Sequence, residues 1–137
     1  MATPKGFREK LKAFAELKHG EVKSMFIDEV GETVFWRPMT LKQRGIIRKQ
    51  AMVDVEVPDD KGKMVTRKEL DAEKFDLFTV VAMAEDADGN QLFSRLDVHW
   101  LQNVLPSETL AKIAGAINGL VVSPEAMEDA EKNSPTQ

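Results

Sequence analysis

The sequence has no cysteine and only two histidines, His19 and His99. The absence of cysteine excludes a disulfide scaffold, a cysteine-ligated zinc and a thiol nucleophile. Two isolated histidines argue against a histidine-rich metal site. No apolar run approaches the roughly 20 residues that span a bilayer. The first residues, Met-Ala-Thr-Pro-Lys-Gly-Phe-Arg-Glu-Lys, lack the apolar core of a signal peptide, so a cytoplasmic protein is expected. A phosphate-cradling loop is missing too, because Gly62-Lys63 has neither the upstream glycine nor the strand context. There is no internal repeat.

What is present is an ordinary globular composition, 42% hydrophobic and 31% charged over 137 residues, which fits one domain with a real core. The net charge of −4 is unevenly spread. Residues 1–20 carry five basic side chains against Glu9 and Glu16, and residues 121–137 carry four acids against Lys132. Two solvated ends account for this, and opposite-signed ends also suit attraction to each other or to different partners.

The periodicity predicts a helix over residues 5–18, with Phe7, Leu11, Phe14 and Leu17 on one face and Gly20 as its C-cap. Glu21–Ile27 and Glu32–Trp36 read as a hairpin around Asp28-Glu29-Val30-Gly31. Pro38 stops the second strand. Thr40 with Gln43 forms a capping box, so a helix starts at Leu41 and runs to about Met52. Gly45 inside it costs about 1 kcal/mol relative to alanine, which suggests a close helix contact or a weak helix. Val53–Val65 fits a second small hairpin or a loop, and the loop is preferred. A further helix is expected over Asp71–Ala84, with Phe75, Leu77, Phe78 and Ala82 as its apolar stripe. Ser94 caps a helix carrying Leu96, Trp100, Leu101 and Val104, and Ser107 starts a last long helix through Ile117. Ser123-Pro124-Glu125 predicts a short final helix, with disorder from Asn133 onward.

No residue set here performs catalysis. Asp86-Ala87-Asp88-Gly89-Asn90 invites a calcium reading, but the positions an EF-hand loop requires hold Ala84 and Arg95. His99 has no second titratable partner at helical spacing, neither His99 nor His19 is expected to be catalytic, and Ser94, Ser107 and Ser123 are better explained as caps than as nucleophiles. Residues 94–118 form two helices around a Pro-Ser turn, but Glu108–Asn118 holds Lys112 as its one cation, too little for a recognition helix. Trp36, Trp100 and the apolar stripes, that of residues 5–18 included, are expected to fill the core. The alternative is that one stripe stays open for a partner's amphipathic helix. Met25, Met39, Met52, Met64 and Met83 would suit such an adaptable surface.

Three stretches, in order, carry a resemblance: Val34-Phe35-Trp36-Arg37-Pro38-Met39-Thr40 with Leu41-Lys42-Gln43-Arg44; Phe75–Ala84 with Asp86 to Ser94; and Leu105-Pro106-Ser107-Glu108-Thr109-Leu110 through to Asn133. So arranged, the chain resembles the tail assembly chaperones of long-tailed bacteriophages. The resemblance implies a protein that binds the helix-rich tape-measure protein, helps to recruit tail-tube subunits, acts in the host bacterial cytoplasm and is absent from the finished particle. Self-association in multiple copies and a frameshifted longer form also follow from it. Glu131-Lys132-Asn133 can be encoded by a slippery adenine run, which would make this chain the short form.

The expected protein is therefore non-enzymatic and needs no cofactor or metal. Its expected fold is mainly α within the α+β class: about five helices with a small N-terminal β-hairpin over residues 1–122, then an acidic tail over 123–137. The candidate partner-binding residues are Trp36, Met39 and Leu41 at the hairpin–helix junction, and Glu128, Asp129 and Glu131 in the tail. The rival is a small DNA-binding or packaging-associated regulator using residues 94–118 and the basic N-terminal helix.

Overall fold

The structure is a computed structural model and describes residues 6–119. The order of elements is α1 (Phe7–His19), β1 (Lys23–Ile27), β2 (Glu32–Trp36), α2 (Leu41–Gln50), β3 (Met52–Pro58), β4 (Met64–Leu70), α3 (Ala72–Met83), a 3-10 turn (Arg95–Asp97), α4 (Val98–Asn103) and α5 (Ser107–Ile117). The predicted final helix after Ser123 lies outside the described residues.

The mainly α expectation is overturned. Among the described residues, five α-helices share the chain with two antiparallel two-stranded sheets, an α+β architecture. The second sheet is what the sequence concealed. β3 pairs with β4 from Met52↔Leu70 to Pro58↔Met64, so residues 53–65 are a hairpin and not a loop. In β3, half-buried Val53, Val55 and Val57 alternate with exposed Asp54 and Glu56, the pattern of a strand with one covered face. In β4 nearly every residue is exposed, so its sequence carries no alternation to read. The turn is held locally: Asp59 Oδ1 accepts the N–H groups of Lys61 and Lys63, both at 2.8 Å, and Gly62 takes φ +79°, where a side chain would be strained.

The first hairpin, β1–β2, supplies one wall of the core. Its register runs from Lys23↔Trp36 to Ile27↔Glu32, which turns Ile27, Val34 and Trp36 inward. α3 is the central helix. It packs on α5 and on α2, burying Val80 and Met83 with Ile47, Ile113 and Ile117. Each such side chain contributes about 1.5–3 kcal/mol by leaving water. Contact on two sides explains why the buried face of α3 is Leu77, Thr79, Val80 and Met83, while Ala82 is exposed and Phe75 and Phe78 are half-buried.

The caps match the sequence in two places and depart from it in a third. Thr40 Oγ1 accepts the Gln43 N–H at 3.2 Å while Gln43 Oε1 accepts the Thr40 N–H at 2.9 Å, a capping box that starts α2. Ser94 and Asp97 form another, but it opens the 3-10 turn, so the expected single helix is divided into that turn and a short α4. Pro106, not Ser107, is the N-cap of α5, and no side chain caps it. Trp100 also departs from the core expectation. It is 40% exposed, its indole N–H donates to Asp97 Oδ1 at 2.9 Å, and its ring meets Phe93 edge-on at 6.1 Å.

α1 is the largest departure. None of its residues is buried, and Phe7, Leu11, Phe14 and Leu17 are between 51% and 80% exposed. The predicted stripe exists, but nothing in the described chain covers it. No helix among the described residues is long and apolar enough to cross a membrane.

Candidate partner-binding surfaces

The residues of the hairpin–helix junction divide between the interior and the surface. Trp36 ends β2 on its inner face and is 6% exposed, so it supports the junction from within the core. Met39 is half-buried against the same core. Leu41, the first residue of α2, is 88% exposed. Glu128, Asp129 and Glu131 lie outside the described residues.

Leu41 belongs to a wider surface, the outer face of α2. The helix buries Ile47 alone, so the rest of its circumference faces solvent. With 3.6 residues per turn, Gly45, Lys49 and Lys42 fall on the side opposite Ile47, with Leu41 and Arg48 along one edge of it. α2 carries Lys42, Arg44, Arg48 and Lys49 and no acid, and none of these four forms an ion pair among the described residues. Arg48 and Lys49 sit in the last turn, where the helix dipole favours cations. Lys42 and Arg44 sit toward the positive end, where the dipole disfavours them, so the fold does not account for their charge. It does not account for Gly45 either. A Cβ built there meets no atom within 4 Å, so no neighbour in the molecule requires the glycine.

Two hollows open on the helical side. The larger has a volume of about 420 Å³ and lies between α3, α4 and α5. Leu77, Leu101, Leu105 and Leu110 form its apolar part, and Asp71, Glu73, Asp76 and Glu108 stand around it with Lys74. Burial raises the Asp76 carboxyl above the usual aspartate range, and the Glu73 charge pushes it further the same way. The smaller hollow, about 210 Å³, lies between the β1–β2 hairpin and α4–α5 and is lined by Val30, Leu92, Phe93 and Trp100 among others, with Glu32 as its one charged residue.

The remaining polar sites are structural. Asp86 Oδ1 accepts the N–H groups of Asp88 and Asn90, both at 2.9 Å. The Asn90 N–H, first among these donors, holds the Asp86 carboxyl below the usual range. That carboxylate is therefore engaged in its own turn, and no group of three or more His, Cys, Asp or Glu residues gathers into a metal-binding cluster among the described residues. Gly89, at φ +85°, closes the turn where the Arg37 guanidinium would lie 2.8 Å from any Cβ. α5, the helix a DNA-binding reading would use, buries Ile113, Ala114, Ala116 and Ile117. Its cation Lys112 donates to Glu29 Oε1 at 3.1 Å.

The basic face of α2 was missed in the sequence, although its signal is there: residues 41–50 hold four cations and no acid around an interior glycine. The acid-rimmed groove was not legible, since α3, α4 and α5 build it together only after packing. No protein-family model, curated protein or solved structure matches the chain.

Proposed function

We propose that this protein is a non-enzymatic phage tail assembly chaperone that binds the tape-measure protein in the host cytoplasm and helps to deliver tail-tube subunits to it. One observation supports this reading above the others: the outer face of α2, where exposed Leu41 and bare Gly45 are surrounded by Lys42, Arg48 and Lys49. A glycine on a helix surface lets another helix approach closely, an exposed leucine gives it an apolar anchor, and flanking cations select acidic neighbours. The matching partner is an amphipathic helix with acids beside its apolar stripe. A long tape measure would offer many such segments and would aggregate if left bare. Modest affinity per copy then suffices, because many copies share one chain. Residues 123–137, with Glu128, Asp129 and Glu131, would engage basic partners such as tail-tube subunits.

The test is co-expression with the tape-measure protein encoded downstream, followed by affinity purification. A soluble tape measure that co-purifies with several copies of this chain is the expected result. An insoluble tape measure, with this chain purifying alone, would count against the reading.

A further inference from the structure

The outer face of α2 and residues 120–137 of the same chain carry opposite charge, and the fold starts that segment at the end of the molecule where α2 begins. α5 starts beside the start of α3, since Ser107, Glu108 and Ala111 line one hollow with Asp71, Glu73 and Lys74. The two helices pack together with 12 and 11 residues, so they also end together. α2 packs on α3 in the opposite sense. The Asp71 N–H donates to the Ala51 carbonyl at 2.9 Å, which sets the last turn of α2 at the start of α3 and leaves Leu41 toward the end of α3. Met39, Met83 and Ile117 accordingly meet in one core.

The charges match. Lys42, Arg44, Arg48 and Lys49 stand on α2 with no acid on the helix and no ion pair among the described residues. Residues 120–137 hold Glu125, Glu128, Asp129 and Glu131 against the single cation Lys132. These acids follow Gly119 by six to twelve residues. That is about 20–40 Å of extended chain, against about 15 Å for the length of α2. Other cations already have partners: Arg37 pairs with Glu85, Lys68 with Asp54 and Lys112 with Glu29. α1 is basic too, but Glu9 and Glu16 interrupt it, and Arg8 and Lys18 pair with Glu9 and Glu21. A short tether holds the segment at an effective concentration on the order of mM, so several weak surface pairs suffice to seat it.

We infer that residues 120–137 lie along the outer face of α2 in the same molecule, with their acids beside Lys42, Arg48 and Lys49, and that they must leave before an acidic helix takes their place. The contact stands on charge and reach alone, whereas its role as a cover rests on the reading of α2 as a docking face. A cover in place about nine-tenths of the time lowers the apparent affinity of an incoming helix about tenfold. Docking of that helix then frees the acids for a basic partner.

The contact is tested in the full chain with a nitroxide on Ala130→Cys, a unique attachment point because the chain has no cysteine of its own. Outside the segment that carries the label, the amides of residues 42–49 are expected to broaden most. They are expected to recover in about 1 M salt, where the screening length falls to about 3 Å. Lys42→Glu with Lys49→Glu is expected to abolish the broadening, and adding Glu128→Lys with Glu131→Lys to restore it. Both lysines are exposed, so these changes leave the core untouched. Broadening spread evenly over the surface, broadening centred on α1, or a loss that the charge swap does not restore overturns the inference. So does broadening of isotope-labelled chains by separate nitroxide-carrying chains, which would place the contact between copies.

The cover is measured with a synthetic helical peptide whose leucine stripe is bordered by glutamates. A chain with Glu125→Gln, Glu128→Gln, Asp129→Asn and Glu131→Gln is expected to bind this peptide about tenfold more tightly than the wild type. Equal affinity overturns the cover. A peptide that neither chain binds removes the docking reading of α2 and the cover with it, and leaves the nitroxide result to decide the contact.

Discussion

Phe35 and Glu85 exchange two backbone hydrogen bonds: the Phe35 N–H donates to the Glu85 carbonyl at 3.0 Å, and the Glu85 N–H donates to the Phe35 carbonyl at 2.7 Å. This short bridge ties the first hairpin to Glu85, two residues beyond the end of α3. It fixes where β2 lies against the central helix and therefore how the core closes over Trp36 and Val80. Glu85→Pro removes one of the two donors. Ala84, which would precede the proline, is already extended at ψ 131°, so the residue before the ring needs no rearrangement. The ring takes the place of the N–H that meets the Phe35 carbonyl at 2.7 Å, so β2 must also give way there. The expected loss is at least about 1–3 kcal/mol, from the carbonyl left without its partner. Glu85→Gln keeps the backbone and removes only the 3.4 Å ion pair with half-exposed Arg37, which should cost about 1 kcal/mol or less. Urea denaturation of both variants checks the pair. Equal losses would mean that the side chain, not the bridge, holds the hairpin.

Carboxylates of opposite tendency make stability depend on pH in two directions. The Trp100 indole N–H, then the Ser94 N–H, hold Asp97 below the usual aspartate range. Its contribution is therefore present above about pH 3.9 and is lost as pH falls through its folded value. Asp76 runs the other way. Burial and the Glu73 charge raise it, so its ionised form penalises the fold at neutral pH, and the penalty fades as the group protonates. Asp76→Asn is expected to raise the denaturation midpoint at about pH 7, by a margin that vanishes below about pH 4. Asp97→Asn is expected to lower the midpoint at neutral pH, by a margin that also shrinks in acid. Chemical denaturation across this range checks both. A gain from Asp76→Asn that does not change with pH would mean its charge is not the cause.

The β3–β4 hairpin stands largely apart from the core. Asp54 and Lys68 face each other across it at 3.0 Å, both mostly exposed. Its base is closed by the Asp71 N–H donating to the Ala51 carbonyl at 2.9 Å. A two-stranded hairpin of this kind has little independent stability. Its amides are expected to exchange by local opening well before those of α3 and α5. Replacing residues 54–68 with an Asn-Gly turn should leave the core cooperative, with a change of about 1 kcal/mol or less. Loss of cooperative unfolding in that variant would show that the hairpin is integral to the fold.

How much of this was readable from sequence depended on where each signal resides. Thr40 with Gln43, and Ile27, Val34 and Trp36 at strand spacing, act within a few residues, so the start of α2 and the first hairpin were legible. β4 was not, because Met64–Leu70 is solvated on both faces and its pairing comes from β3 and the Asp59–Gly62 turn. The phase of α3 was misread because two helices cover it, which brings Val80 and Thr79 inside as well as Leu77. The stripe on α1 was visible, but periodicity describes only the helix and not what covers it. The acid-rimmed groove joins Asp76 to Leu101 and Glu108, residues that no local pattern connects.

Gly45 separates stability from binding in a single position. In an exposed helix interior a glycine costs about 1 kcal/mol relative to alanine, and the open space around it means that a larger residue meets no obstacle within the molecule. Gly45→Ala and Gly45→Gln are therefore both expected to stabilise the protein by about 0.5–1 kcal/mol, seen as a melting temperature a few degrees higher. If the face around Leu41 and Gly45 receives a partner helix, the two variants differ in capture. The single methyl of alanine weakens capture of the tape-measure protein slightly. The glutamine side chain, standing between Leu41 and Lys49, holds the partner backbone away and abolishes capture while the protein itself is more stable. Thermal melts alongside co-purification measure both quantities on the same samples. A Gly45→Gln variant that is stabilised yet still captures the tape measure as well as the wild type would remove the outer face of α2 from the binding surface.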